Sequence, residues 1–575
     1  IDMYTSICWN IEQMELHINS HSGRMVRPLF IVENQEIRNH SQINDNSWKV
    51  LIGDTSKVSL IEYMKIPIGE YKFENRSSIE YLDTQEINCS LIAMRPQQLH
   101  LNPRFTHCEI HPSLMFGVMG LMIPFAVHNQ SPVRNLFGIG QSKQSVGYYA
   151  SNYQNRMDQT SQLLNYPQRG LIETRFPKYI GKLSSLYGVN VIVAFATYGG
   201  YNQEDAIIFN KSSVEKGMFV STHFSTYSES IIEGKDDEGC LFGNPIINDV
   251  SNLKTKNNYS KLNENGIVSK GEKIYEDDVI IGKYQLITDE DGKEKKIDLS
   301  INPKKGTKGI VDKSYAYSTN QEMVYKVCLR KEKIPELGDK FSARHGQKGV
   351  MGLLVPASDM PYTKDGIIPD IILNPHCIPS RMTIGQFLEC LLSKKSCLEG
   401  LSIDGTSFLG DMDVDSSLED VMDNFQYSKY GDEILYNGMT GRQIESKIFI
   451  GPTYYMRLKH IVQDKMHSRG KGINQVMNRQ PSEGRARDGG QKIGEMERDV
   501  VLSYGIFEFL KESFNERSDK YGLYINNKTG LIESQLNSNK GIDSDNDFSY
   551  VAIPYSFKLF LQELQSMSII ARLIT

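Results

Sequence analysis

From residue 221 to residue 333 the sequence changes character. Lys, Asp, Glu, Asn and Gly crowd the stretch, and short runs such as DVIIGKYQLI and EMVYKVCLR punctuate it. Short apolar or alternating runs bounded by turn residues read as strands. The segment is expected to be a β-rich insertion with mobile loops, so the chain on either side must build a different body. A 575-residue chain also exceeds what one hydrophobic core organises. The expected fold is mixed α+β and multidomain. Before the insertion, RPLFIVEN and VNVIVAFATY are strand candidates, the second of them buried. NYQNRMDQTSQLLNY, Asn152 to Tyr166, reads as an amphipathic helix. SLMFGVMGLMIPFAV, Ser113 to Val127, is too short for a membrane span and contains Pro124, so it is expected in a core.

Net charge is -6. A protein that coats nucleic acid is usually basic overall, so any such surface here must be local. The eight cysteines form no CxxC pair, and none follows Cys397. No disulfide framework is expected, and an intracellular chain with free thiols fits better.

Five stretches carry candidate chemistry. GDKFSARHGQKG, Gly338 to Gly349, sets Lys340, Arg344, His345 and Lys348 among three glycines. Glycines let backbone approach closely and lysines supply compact charge, a combination suited to phosphate oxygens or to a solvated basic turn. A Walker A loop needs GxxxxGK[ST], and no Gly-Lys pair in the chain is followed by Ser or Thr. In GGYNQEDAIIFN, adjacent Glu204 and Asp205 follow a strand and a glycine turn. They are either hard ligands bordering magnesium or a surface turn. HNQSPVRN and NPHCIPSRMT aim Arg134 and Arg381 from proline turns, toward phosphate or a structural ion pair. DMDVDSS spaces Asp411, Asp413 and Asp415 alternately, but Ser416 and Met422 stand where an EF-hand needs Gly and an acid, so a solvated loop is expected. From Arg457 to Arg498, ten Lys/Arg face five Asp/Glu, with glycines interleaved. Such a surface is expected either to track a nucleic-acid backbone rather than bases or to be an ordinary charged loop.

In this order the motifs resemble one family closely: the second-largest, beta-type subunit of multisubunit DNA-directed RNA polymerases, in its eukaryotic, archaeal and large-DNA-virus branch. EYLDTQE, THCEIHPSLMFGV, HNQSPVRN, GYNQEDAIIFN, GDKFSARHGQKG, DMPYTKDGIIPDIILNPHCIPSRMT, GPTYYMRLKH and GEMERD carry the likeness. The chain resembles the C-terminal half, which implies that the N-terminal lobe lies on a separate polypeptide or outside this sequence. The resemblance implies an external region at 1–80, a fork at 81–118, a hybrid-binding core from 119–220 and 334–498 (the latter with the anchor), a wall or flap at 221–333, and a clamp-joining segment at 499–575.

It also implies roles. Lys340 and Lys348 are expected at the RNA 3′ end, Arg134 and Arg381 toward the incoming triphosphate, and Glu204 and Asp205 near a second magnesium. The nucleic-acid-binding set is Lys340, Arg344, Gln347, Lys348, Arg469, Arg479, Arg485 and Arg487. The aspartates holding the main magnesium are expected on the largest-subunit partner, since no matching triad occurs here. The implied partners are that subunit, the N-terminal half if split, other polymerase subunits, template DNA, nascent RNA and NTPs, with no membrane. The family's clamp segment binds zinc through two CxxC pairs, whereas this chain has neither Cys nor His from Ser468 to Thr575, so no zinc is expected. The alternative reading is a non-catalytic nucleic-acid-binding paralogue of the same fold.

Overall fold

The structure is a computed structural model. It describes residues 5–11, 13–38, 77–130, 133–180, 185–232, 239–250, 253–255, 257–288, 294–304, 306–319, 322–408, 422, 424–533 and 548–574. In chain order, the elements that matter begin with strands β1 (Ser6–Asn10) and β2 (Glu15–Asn19), then helices α1 (Thr84–Asn88) and α2 (Val133–Ser142). Strands β3 (Val189–Phe195), β4 (Ala206–Asn210), β5 (Ser221–Ile232), β6 (Lys273–Ile274), β7 (Gly309–Thr319) and β8 (Glu322–Lys333) follow. Next come β9 (Lys340–Ala343), β10 (Lys348–Val355) and β11 (Ile371–Leu373), then helices α3 (Cys377–Arg381) and α4 (Ile384–Glu399). The chain closes with β12 (Asp432–Tyr436), β13 (Gln443–Arg457), β14 (Lys520–Asn526), β15 (Phe548–Pro554) and helix α5 (Tyr555–Ser566).

Contacts divide the chain into two compact units. The first holds Ile1–Tyr153, Gln162–Ser221 and Ile334–Lys459; the second holds Gln154–Ser161, Thr222–Lys333 and His460–Thr575. In the first unit, strands run in the order β3-β11-β4-β10-β9-β13, and β3 pairs again with β13. Six strands thereby close on themselves, and closure removes the exposed edges an open sheet would carry. β13 is long enough to pair with β3 through Phe449–Tyr455, with β9 through Tyr455–Arg457 and with β12 at its other end. The inside is filled by Val191, Val193, Ile207, Phe209, Phe341, Met351, Ile371 and Tyr455. These are the alternate positions of their strands, which is why VNVIVAF and AIIFN form β3 and β4.

The second unit contains the insertion. Its sheet runs β6-β7-β8-β5, over a core of Val268, Ile274, Ile280, Ile281, Val311, Tyr325, Val327 and Leu329. The same unit includes β14 and β15, paired from Lys520–Pro554 to Asn526–Phe548. α5 follows β15 directly and buries Leu561. Val501 to Phe514 is two helices, Glu495–Ser503 and Phe507–Phe514, broken at Gly505, whose φ is 70°.

Two sequence expectations need correction. Asn152 to Tyr166 is no helix: a short 3₁₀ turn at Tyr153–Asn155 precedes a strand at Thr160–Leu164. Adjacent Leu163 and Leu164 are both buried, which suits a strand covered on two faces. Backbone partners decide the outcome, with Thr226 donating to the Gln159 carbonyl at 3.0 Å and Asn165 to that of Val220 at 2.9 Å. Within Ser113 to Val127, only Leu121 to Ala126 form a continuous buried apolar run, while Leu114, Met115, Val118 and Val127 are exposed. Among the described residues no helix is long and apolar enough to cross a membrane.

Candidate functional site

Strands β9 and β10 pair antiparallel, with Lys340 opposite Val350 and Ser342 opposite Lys348. Because side chains alternate, Lys340, Ser342 and Lys348 share one face, and Phe341 and Ala343 take the other. Phe341 packs into the barrel, its ring 4.6 Å from Phe209 and 5.0 Å from Phe219. Apolar burial on one side therefore fixes both lysines on the other. Helix α2 lies along that outer face. Its Gln141 accepts from the buried Ser342 hydroxyl, and the Lys348 ammonium sits 5.4 Å from the Phe137 ring. Arg134 occupies the position one turn before Phe137 on α2; its side chain lies outside the described residues.

Two buried arginine–carboxylate pairs strap the hairpin down. Arg457 donates to Asp339 at 2.7 Å, to the Phe219 carbonyl at 2.8 Å and to Ser221 Oγ at 2.9 Å. Arg344 donates to Glu389 at 2.7 Å and to the Ile172 carbonyl at 2.8 Å. The second carboxylate oxygen of Glu389 meets His345 Nε2 at 2.5 Å, and His345 Nδ1 lies 3.0 Å from Asn129 Nδ2. Burial would push the Glu389 carboxyl up; the Arg344 charge and the hydrogen bond from His345 more than reverse this and hold it at about 2. Arg344 is shifted up in turn: burial works against its charge, and Glu389 outweighs burial. Gly346, with φ 77°, lets the chain reverse directly after these anchors.

These facts correct the expectation for Arg344. It is 3% exposed and committed to Glu389, so it braces the loop from beneath instead of meeting a phosphate. Gln347 is 4% exposed and also faces inward. Its amide donates to Thr383 Oγ1 at 2.7 Å, and its carbonyl accepts from Arg381 at 2.7 Å. Gln347 thus aims Arg381, whose other nitrogen pairs with Asp205. Asp205 is tied to the hairpin as well, since its carbonyl accepts from Val350 at 2.9 Å. Glu204 beside it is exposed, with a left-handed φ of 52°.

The structure therefore brings Lys340, Lys348, Arg381, Gln347 and Asp205 to one hairpin and its flank. Glu204 and Asp205 can lend one or two oxygens to a cation, which suits magnesium shared with phosphates. Among the described residues no group of three or more His, Cys, Asp or Glu is placed to hold a metal. Asp411, Asp413 and Asp415 lie outside the described residues.

Four family models match the chain in sequence order. They are RNA polymerase Rpb2 domain 4 at residues 1–33, domain 5 at 72–112, domain 6 at 119–487 and domain 7 at 489–575. The chain belongs to the Rpb2 family of RNA polymerase subunits. DNA-directed RNA polymerase II subunit RPB2 of Encephalitozoon cuniculi is 40% identical, over 100% of this chain and 50% of its own length. DNA-directed RNA polymerase II subunit 2 of Arabidopsis thaliana is 40% identical, over 98% of this chain and 48% of its own. DNA-directed RNA polymerase subunit Rpo2 of Sulfolobus acidocaldarius is 39% identical, over 97% and 49%. The chain spans about half the length of the curated relatives it matches.

In this Rpb2-family chain the four later arginines belong to the second unit, and they differ in use. Arg469 holds its own loop through the carbonyls of Asp488 and Ile473. Arg485 grips the carbonyls of Asp464 and Gln463. Arg479 stacks over Tyr555 at 4.2 Å and Tyr521 at 5.5 Å, and Arg487 is exposed. Arg469 and Arg485 are therefore loop braces, leaving Arg479 and Arg487 the more available cations. Sequence reasoning missed Asp339, Arg457, Gln141 and Glu389. Only Glu389 left a signal: a lone carboxylate inside the apolar run IGQFLECLL.

Proposed function

We propose that this chain forms part of the catalytic core of a DNA-directed RNA polymerase, holding the RNA–DNA hybrid, the RNA 3′ end and the incoming NTP for magnesium-dependent nucleotidyl transfer. The observation that carries the reading is Lys340 and Lys348 on one face of a braced hairpin, with Arg381 held at its flank by Gln347 and Asp205. Phosphoryl transfer is mostly positioning plus neutralisation of developing charge. Lys340 and Lys348 place two ammonium groups where RNA phosphates pass. Arg381, already oriented, offers a planar fork to a triphosphate once it exchanges Asp205 for phosphate oxygens. Glu204 and Asp205 would border the NTP-borne magnesium, which when bound neutralises charge on the phosphates; the largest-subunit partner supplies its main aspartates. Arg479 and Arg487 face the nucleic-acid backbone, the segment 221–333 serves as the wall, and 499–575 joins the clamp without zinc.

The test uses the assembled polymerase. Lys340→Ala and Lys348→Ala each remove a charge-assisted contact of about 1.5–3 kcal/mol. Single-nucleotide addition should fall about ten- to a hundredfold while the complex still assembles. Arg381→Ala should mainly raise the NTP concentration needed. Normal addition at limiting NTP by both lysine variants would overturn the reading.

A further inference from the structure

Cys8 and Cys89 lie 81 residues apart in sequence, yet their sulfurs are 3.1 Å apart. Both thiols are free; Cys89 is exposed and Cys8 partly so. Cys8 is the middle residue of β1, and Cys89 caps the C-terminus of α1. The contact is built. An Asp83–Glu86 capping box fixes the start of α1. The β1–β2 hairpin docks on it through Ser6 Oγ to Asp83 at 2.6 Å, the Ile7 amide to Glu86 at 2.8 Å and Asn19 Nδ2 to Gln85 at 2.8 Å. The Cys89 sulfur also reaches the Trp9 carbonyl at 3.7 Å. A disulfide bond is about 2.05 Å long, so closure asks the sulfurs to approach by only about 1 Å.

We propose that Cys8 and Cys89 form a reversible disulfide that fastens the N-terminal hairpin to helix α1 when the protein meets a peroxide-type oxidant. A two-stranded hairpin is marginal by itself. Among the described residues this one leaves Trp9, Leu16 and Ile18 exposed and is held to α1 by polar contacts. A covalent tie therefore converts a docked ribbon into a fixed one. The Cys8 thiol is held above its ordinary value, first by its hydrogen bond with Cys89, with the Asp83 and Glu86 carboxylates adding to it. The more exposed Cys89 accordingly meets oxidant first. Its sulfur attacks hydrogen peroxide, the O–O bond breaks, a sulfenic acid forms and water leaves. The Cys8 sulfur then attacks that sulfenic sulfur, gives up its proton and expels a second water. Two thiols lose two electrons and two protons, and one peroxide becomes two waters.

The experiment takes the chain as purified, in its assembly and fully reduced, and treats it with hydrogen peroxide. Non-reducing peptide mapping should yield a Cys8–Cys89 linked peptide two hydrogens lighter than its parts, reversed by dithiothreitol. Cys8→Ala or Cys89→Ala should abolish it, and Cys397→Ala, another exposed cysteine, should not. Hydrogen exchange across residues 6–19 should slow at least tenfold on oxidation in the parent and not in Cys8→Ala. Sulfinic acids or alkylatable thiols at both positions with no linked peptide would overturn the proposal. A linked peptide with unchanged exchange would overturn the fastening role.

Discussion

At the scale of single residues, Glu389 carries more of the site than any lysine on its surface. It is 1% exposed and neutralises Arg344 while meeting His345, so two consecutive loop residues depend on one carboxylate. Removing one member of a buried pair leaves an uncompensated charge, at about 3–5 kcal/mol. Glu389→Gln should lower the urea midpoint of the chain accordingly, and adding Arg344→Met should recover part of the loss; a Glu389→Gln chain of unchanged midpoint would refute the bracing role. The pH dependence has a definite sign. The folded carboxyl sits at about 2, below the ordinary 4.5. Its contribution is thus complete above the ordinary value and is lost as pH falls toward about 2. Acid should therefore destabilise the parent more steeply than the Gln variant. Lys340 and Lys348 stood out in sequence by their place among three glycines and by the family motif, whereas the single face they share appears only in the strand pairing. The bracing role of Arg344 was not legible, because a cation in a glycine-rich loop looks the same in sequence whether it faces phosphate or a carboxylate on a distant helix.

At the scale of elements, the hairpin works because its neighbours come very close. A Cβ on Gly349 would meet Ile207 Cδ1 at 2.5 Å and the Asp205 carbonyl oxygen at 2.7 Å. The second is backbone and is already bonded to Val350, so β4 or β10 must shift. Gly349→Ala should cost about 1–3 kcal/mol by overpacking. It should also reduce nucleotide addition in the assembled polymerase, because the shift moves Lys348 relative to Asp205. Denaturant midpoint and single-nucleotide kinetics check both; a variant unchanged in each would show that the two strands are not held at this spacing. Sequence pattern revealed β3 and the strand content of the insertion, since each carries its period locally. It missed the strand at Thr160–Leu164, whose identity comes from backbone partners near residues 220 and 226. Nor could it divide the basic segment, where Arg469 bonds the Asp488 carbonyl and Arg485 those of Gln463 and Asp464 on a short helix upstream.

At the scale of the whole molecule, cations and carboxylates are unevenly supplied, and that inequality predicts a division of labour. In the proposed reading Lys340, Lys348 and Arg381 meet phosphates; among the described residues Glu204 and Asp205 are the exposed carboxylates at their flank, and Asp205 is already paired with Arg381. Magnesium demands near-octahedral oxygen ligation and usually takes one or two carboxylates alongside phosphates and waters. Two adjacent carboxylates, one of them shared with an arginine, can border a nucleotide-borne ion but make a poor permanent cage. The proposed division of labour accordingly assigns the tightly held ion to carboxylates of the largest-subunit partner. The rigorously purified chain, given template, RNA primer, NTPs and magnesium, should make no template-dependent product. Addition of the partner and the remaining polymerase subunits should restore synthesis, and that restored synthesis should fall with Lys348→Ala. Incorporation by the single chain would show that its own carboxylates suffice, and the assignment of the main metal site to another subunit would fail.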